Sequence, residues 1–338
     1  KQTFPSPKVG DVVNSLRKEL TKPGILDQIK PGMRIAVAVG SRGMAEIQTL
    51  VRTTIAAIRD RGGRPFIVPA MGSHGGATAD GQTVILAQLG ITETSVNCPI
   101  IASMEVVQLG TLANGLPVYI DKQAYGADGI VVINRIKPHT AFRGPSESGL
   151  VKMITIGLGK QKGADSCHRY GFKHMAENIT AMAKVVLSQA PVLFGIGTIE
   201  SAYEQIAKIV AVPAKEILAA DAKLQREAKE NLPRLPFDQI DVLVIDQIGK
   251  DISGDGMDPN ITGRYPTPYA SGGPSVSKMV VLDLTEGSHG NANGMGTADF
   301  TTRRLANKVK FAITYANVLT STVVRASHLP MVLESDRL

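Results

Sequence analysis

At 338 residues, 43% of them hydrophobic, the chain is longer than one core usually supports, so two globular domains are expected. The formal net charge of +7 comes from scattered lysines and arginines, and aromatic residues make up 4% with no Trp. That argues against stacking on single-stranded nucleic acid and for a small anionic ligand. Cys98 and Cys167 cannot build a disulfide framework, and their spacing fits no zinc finger. With no signal-peptide core and no apolar run long enough to span a bilayer, the expectation is a cytoplasmic protein without a membrane partner.

In chain order, a helix is expected over Val9 to Thr21, then a strand over Met33 to Val39 that ends in Gly40-Ser41-Arg42-Gly43. Ile47, Leu50, Val51, Thr54, Ile55 and Ile58 recur at helical spacing before Gly62-Gly63 stops them. Pro65 to Pro69 reads as a strand, followed by a glycine-rich loop around His74 and a helix from Ala79 to Leu89. Strand, helix, strand, helix with short connections predicts a parallel sheet. Asn114-Gly115 between two alternating runs predicts a hairpin over Glu105 to Asp121. Gly129 to Ile133 reads as a buried strand, and a Gly/Pro-rich stretch from Asn134 to His174 leaves its end, carrying three of the six histidines.

Beyond it come a helix after His174, a strand from Pro191 to Ile199 and a charged helix from Pro213 to Asn231. Leu232-Pro233-Arg234-Leu235-Pro236 is the linker candidate. A strand (Ile240 to Ile245), a Gly/Asp/Pro-rich loop, a strand (Lys278 to Leu284) and a helix from about Asp299 to Thr314 complete the pattern.

Gly159-Lys160 fails the Walker A pattern, because Ile154 and Gln161 stand where Gly and Ser or Thr are needed, and no dinucleotide fingerprint follows the first strand. Ser41 and Arg42 lie at a strand-to-helix turn that suits an anion, or simply a tight turn with a solvated arginine. His74 lies in a flexible loop where a side chain can approach a ligand, or donate to a neighbouring carbonyl. Rigid presentation behind Pro138 makes His139 a stronger candidate. His168, beside Cys167, is a candidate metal ligand or a lone buried histidine. Apolar neighbours desolvate the Lys152 ammonium, the usual route to a nucleophilic lysine, unless it snorkels from a half-exposed strand. Gln247 and Lys250 follow a strand as an amide and an ammonium suited to a carboxylate, or as a polar turn. Asp251, Asp255 and Asp258 lack the alternation of a calcium loop.

Together these positions resemble the lactate racemase family, nickel-pincer-nucleotide-dependent 2-hydroxy-acid racemases and epimerases, from about Arg34 to Lys250. Lys152 precedes His168 by sixteen positions, as the family's cofactor lysine precedes its nickel-ligating histidine. Gly72-Ser73-His74-Gly75-Gly76-Ala77-Thr78 is similar to the family's G-T-H-R-x-x-T loop, and Val39-Gly40-Ser41-Arg42 to its D-x-T-R turn. His139 corresponds to the second catalytic histidine, and Gln247 with Lys250 to the substrate pair Gln-x-x-Lys. Val39, Gly75 and Asp246 replace the family's Asp, Arg and aromatic residue. These substrate-side changes point away from lactate towards a larger or more polar 2-hydroxy acid, such as a sugar acid.

The resemblance implies an α/β fold of two domains. A Rossmann-like N-terminal domain with a mostly parallel sheet and flanking helices would span 1–232, and a smaller C-terminal α/β domain 238–325. Residues 326–338 would form a segment able to return to the first domain, and the active site would lie in the cleft between the two. It also implies a nickel-pincer nucleotide (pyridinium-3,5-bisthiocarboxylic acid mononucleotide with nickel), with Lys152 as the position for a covalent tether and His168 as the metal ligand. Ser41 and Arg42 would contact this cofactor; Arg42, Gln247 and Lys250 the substrate. His74 and His139 would be the catalytic bases for the two enantiomers. Enzymes that make and insert the cofactor would be partners, and an oligomer is open. Two alternatives stand beside this one: a zinc-dependent hydrolase using His74, His139 and His168, and a non-catalytic protein that binds the cofactor or an organic acid.

Overall fold

The computed structural model describes residues 2–335. The chain divides into two compact units. The first comprises residues up to Pro138, Gly144–Arg169 and His174–Leu232; the second comprises His139–Arg143, Tyr170–Lys173 and the chain from Pro233 onward.

The first unit is built on a five-stranded sheet. Its strands are β1 (Arg34–Val39), β2 (Arg64–Pro69), β5 (Gly129–Arg135), β6 (Val192–Glu200) and β7 (Ile206–Pro213), with a separate antiparallel hairpin of β3 (Val106–Thr111) and β4 (Pro117–Asp121). The order is β2-β1-β5-β6-β7, parallel except for the β6–β7 pair. β7 has no counterpart in the elements expected from sequence. Alternate residues Ile35, Val37, Val39, Val131, Ile133, Phe194 and Ile196 join a core with Leu16 and Leu20 of helix Val12–Leu20 and Leu50, Val51, Ile55 and Ile58 of helix Ile47–Asp60. Ala36, Ala38 and Val132 of the opposite face are equally buried, so the sheet is covered on both sides, as parallel sheets require.

The second unit carries β8 (Gln239–Ile248), β9 (Ser275–Leu284), β10 (Phe300–Thr302) and β11 (Met331–Leu333), all parallel and in the order β11-β10-β9-β8. Ile248, Met279, Val281, Leu284, Met295 and Leu305 form its core.

Three expectations change. The stretch after β5 is largely helical: Leu150–Lys152 continues as a π-helical turn, Met153–Gly157, and Lys160–His168 is an α-helix. Its apolar residues are buried as a helix rather than a strand or loop. The helix expected from Asp299 begins as β10, where the Thr301 and Thr302 hydroxyls donate to the Val281 and Leu282 carbonyls (2.9 and 2.5 Å). The helical residues follow as Arg303–Lys308 and Phe311–Ser321. Residues 331–333, expected to be able to return to the first domain, add β11 to the second unit's sheet instead; the last three positions of that segment lie outside the described residues. Among the described residues no helix is long and apolar enough to cross a membrane.

Phe194 is wholly buried in β6. Phe194→Ala should therefore destabilise the chain by about 3–5 kcal/mol, read as a lowered urea midpoint with an unchanged slope.

Candidate active site

Strand order reverses direction around β1: the chain passes from β1 to β2 on one side and later returns to place β5 on the other. Ligands of open α/β sheets bind beyond the carboxyl ends of strands at such a point. Ser41 and Arg42 leave the end of β1, His74 lies five residues beyond β2, and His139 four beyond β5.

Ser41 Oγ is hydrogen-bonded to His74 Nδ1, which joins the first two loops directly. Both His74 and Arg42 are exposed. The segment bearing Lys152 lies against the same edge. The Gly72 amide donates to the Gly157 carbonyl at 3.1 Å, and the Met153 methyl stands 2.9 Å from where a Cβ on Gly40 would be. The start of that segment is held from below. The Asn134 side-chain amide donates to the Gly149 carbonyl (2.7 Å), and Asp221 Oδ1 accepts from the Leu150 amide (2.7 Å).

His168 closes the helix Lys160–His168 and donates from Nδ1 to the Ala164 carbonyl at 2.8 Å. A carbonyl only accepts, so the neutral ring carries its basic lone pair on Nε2. Burial, then the nearby Lys152 ammonium, hold the imidazole below its ordinary range, against the Ala164 hydrogen bond and Asp165. The structure thus brings Ser41, His74, Lys152 and His168 to one region of the first unit.

His139, Gln247 and Lys250 belong to the second unit. The Ala141 amide donates to His139 Nδ1 at 3.1 Å, which leaves the proton of the neutral ring on Nε2. The ring packs on Phe142 and Phe172, at centroid distances of 4.6 and 5.9 Å. Arg143 clamps this short loop: it donates to the His139 carbonyl (2.7 Å), Asn260 Oδ1 (2.6 Å), Tyr265 Oη (2.7 Å) and the Ser271 carbonyl. Gln247 is exposed near the end of β8. Lys250 donates its backbone N–H to Ser288 Oγ (2.8 Å) and its ammonium to the Gly254 carbonyl.

Sequence reasoning overlooked the buried polar residues behind the site: Gln82, Asp121, Lys160 and Asp221. Asp221 carried a signal. Ile217, Asp221, Leu224, Gln225 and Ala228 share one buried helix face, so a carboxylate and an amide interrupt an apolar stripe. Lys160 carried none, because a lysine among glycines reads as surface.

Lactate racemase N-terminal domain is the family whose model matches the chain, over residues 5–180, just over half of it. Among solved structures, a protein from Thermotoga maritima is similar at a TM-score of 0.58, with 12% identity, covering 83% of this chain and 72% of that one. The lactate racemase apoprotein from Thermoanaerobacterium thermosaccharolyticum is similar at 0.51, with 15% identity, covering 83% of this chain and 71% of that one. At such identities the likeness concerns the fold. No curated protein matches.

Two measurements follow from buried groups of the first unit. Burial pushes the Cys98 thiol up to about 11 and the Cys167 thiol up to about 12. Neither should react with iodoacetamide at neutral pH until the chain unfolds; modification of Cys167 in the folded state would contradict its burial beside Met175. Burial also holds the Asp221 carboxyl above its ordinary range, against hydrogen bonds from Ser146, Leu150 and Val151. Such an acid keeps its proton more tightly folded than unfolded. Its contribution to stability is full below about pH 4 and is lost as pH rises through the folded value. As pH rises above about 4, the Tm of the natural chain should fall relative to that of Asp221→Asn; a flat or rising difference would mean an ionised carboxylate.

Proposed function

Because the chain belongs to the lactate racemase N-terminal domain family, which supports a racemase-like function, we propose that it is a 2-hydroxy-acid racemase or epimerase working with a nickel-pincer nucleotide. The observation that carries this reading is the meeting of the Ser41–His74 pair with the Lys152 segment at one sheet edge, His168 lying within electrostatic range of Lys152.

The donor set fits the group. Nickel accepts a neutral imidazole nitrogen, and burial keeps His168 neutral while the Ala164 carbonyl fixes its tautomer. Lys152 is the amine we assign to holding the nucleotide, by a covalent tether or by charge, with Ser41 and Arg42 beside it. When bound, this cofactor supplies the acceptor and donor for the hydride at the substrate's hydroxyl-bearing carbon. The chain's own residues handle the proton and the anion. His74, braced at Nδ1 by Ser41, is assigned to take the hydroxyl proton. His139 is assigned as its counterpart, which would return a proton as the imidazolium, and the roles would exchange for the opposite enantiomer. Arg42, Gln247 and Lys250 are assigned to the carboxylate or keto oxygen, where charge-assisted hydrogen bonds are strong. The substrate-side departures at Val39, Gly75 and Asp246 favour a larger or more polar acid than lactate. Enzymes that make and insert the cofactor are the expected partners.

A zinc hydrolase would need three protein ligands on one ion. Among the described residues no group of three or more His, Cys, Asp or Glu side chains is gathered for a metal. Ligation through the single imidazole of His168 requires no such group.

After co-expression with cofactor-making enzymes, His74→Ala and His139→Ala should each lower racemisation roughly 100- to 10,000-fold with nickel content unchanged by elemental analysis. His168→Ala should lose nickel. Full activity in either of the first two variants removes that histidine from the mechanism. A loaded chain inert on a panel of lactate, sugar acids and other 2-hydroxy acids would favour a binding protein.

A further inference from the structure

Lys160 is buried without any exposed surface, and the mechanism above makes no use of it. It opens the helix that ends at His168, and its backbone is left-handed at φ +56°. A non-glycine residue rarely adopts that conformation unless its surroundings enforce it. The ammonium donates to the Pro69 carbonyl at the end of β2 (2.6 Å) and to Gln82 Oε1 (2.8 Å), and stands 3.4 Å from Asp121 Oδ2. Burial draws the ammonium down and lifts the Asp121 carboxyl, each opposed by the other's charge.

Gln82 is equally buried, and its Nε2 donates to two carbonyls of the glycine-rich loop, Gly72 (2.9 Å) and His74 (3.2 Å). An amide can turn end for end, exchanging its donor and acceptor ends, and little in its shape resists this. An ammonium only donates, so Lys160 requires oxygen on its side and thereby aims the amide's NH2 at the loop.

We infer that Lys160 is a positioning residue: acting through Gln82, its ammonium fixes the Gly72–His74 loop and ties it to the helix ending at His168. Its meaning for catalysis rests on the reading of His74 as base and His168 as ligand. The coupling itself does not. A purely structural lysine would stabilise the fold without setting the loop, and a well-packed apolar side chain would serve as well or better.

Hydrogen exchange and 15N-histidine NMR on the full chain, without cofactor, test this with Gln82→Glu and Lys160→Met. Gln82→Glu keeps a partner for Lys160 but has no N–H for the loop. It should speed amide exchange over residues 72–77 about tenfold and shift the His74 imidazole signals, while Tm and protection in β1 and β5 stay near those of the natural chain. Lys160→Met should give the same local signature. Wild-type exchange and His74 signals in a folded Gln82→Glu chain overturn the proposal, and so does a Lys160→Met chain that loses protection uniformly while Gln82→Glu is unaffected. If Lys160→Met fails to fold, Gln82→Glu decides alone. Loop release in a chain whose loaded natural form racemises nothing would sink the racemase reading and leave the coupling standing; an unmoved loop in an active racemase would do the reverse.

Discussion

The chain from Leu150 to Gly157 lies against the first sheet at distances that leave no room for intervening side chains. A Cβ on Gly195 of β6 would sit 2.8 Å from Leu150 Cδ1, and one on Gly157 would sit 2.8 Å from the Ala70 carbonyl oxygen. Interiors packed this closely transmit position, since small shifts meet steep repulsion. The backbone that carries Lys152 therefore derives its place from the sheet itself, through Leu150 on one side and the end of β2 on the other. Loops that carry function need such a rigid base. Here the base is the carboxyl edge of β1, β2 and β5, and Ser41, Arg42 and His74 follow the ends of β1 and β2 within five residues.

Beneath that edge the chain accepts a considerable electrostatic cost. Asp121 and Lys160 are both fully buried, and so is Asp221. A buried ion pair is weak evidence of stability, because desolvation of the two charges offsets much of their attraction. What these groups supply is direction. Asp121 caps a short helix by accepting from the Ala124 amide at 2.9 Å, Asp221 holds the first turn of the Lys152 segment, and Lys160 orients Gln82. Asp121 and Asp221 act on backbone, and Lys160 acts on an amide side chain. The same dry surroundings favour the neutral imidazole at His168, so one physical cause, exclusion of water, serves both the framework and the proposed metal ligand.

Much of this was legible in the sequence, and the legible part has a common character. The strands around Val37, Ile67 and Val131 announce themselves because a parallel strand buried on both faces is a short, continuous apolar run. The hairpin turn at Asn114-Gly115 follows from local chemistry at a single dipeptide. The sequence was less explicit where tertiary context decides. Leu150-Val151-Lys152-Met153-Ile154 could have been a strand by composition; burial on the face of an existing sheet makes it a helix. Phe300-Thr301-Thr302 had the reverse fate, because its two hydroxyls find carbonyls on β9. His74 and His139 could be located in loops, but neither the helix that ends at His168 nor the residues that brace the loops could be found. Gln82 and Lys160 lie 78 positions apart, and nothing in either neighbourhood signals the other.

Gly75 shows how the bracing bears on substrate. The resemblance would place arginine there, yet the residue has φ +67°, and a Cβ would lie 2.6 Å from the Gly81 carbonyl carbon and 2.7 Å from the Gln82 amide nitrogen. The loop has settled onto the first turn of helix Ala79–Gln88, backbone against backbone, where no side chain of any kind fits. That close approach is also what brings Gln82 within reach of the Gly72 and His74 carbonyls. Losing the arginine and gaining the amide brace are therefore two aspects of one packing arrangement. Restoring arginine at 75 would have to lift the loop away from the helix, and with it His74. In the proposed mechanism, the absence of a cation at this position leaves the substrate's anionic end to the other residues assigned to it. The proposed preference for a larger or more polar hydroxy acid thus rests on how the loop packs as well as on a missing charge.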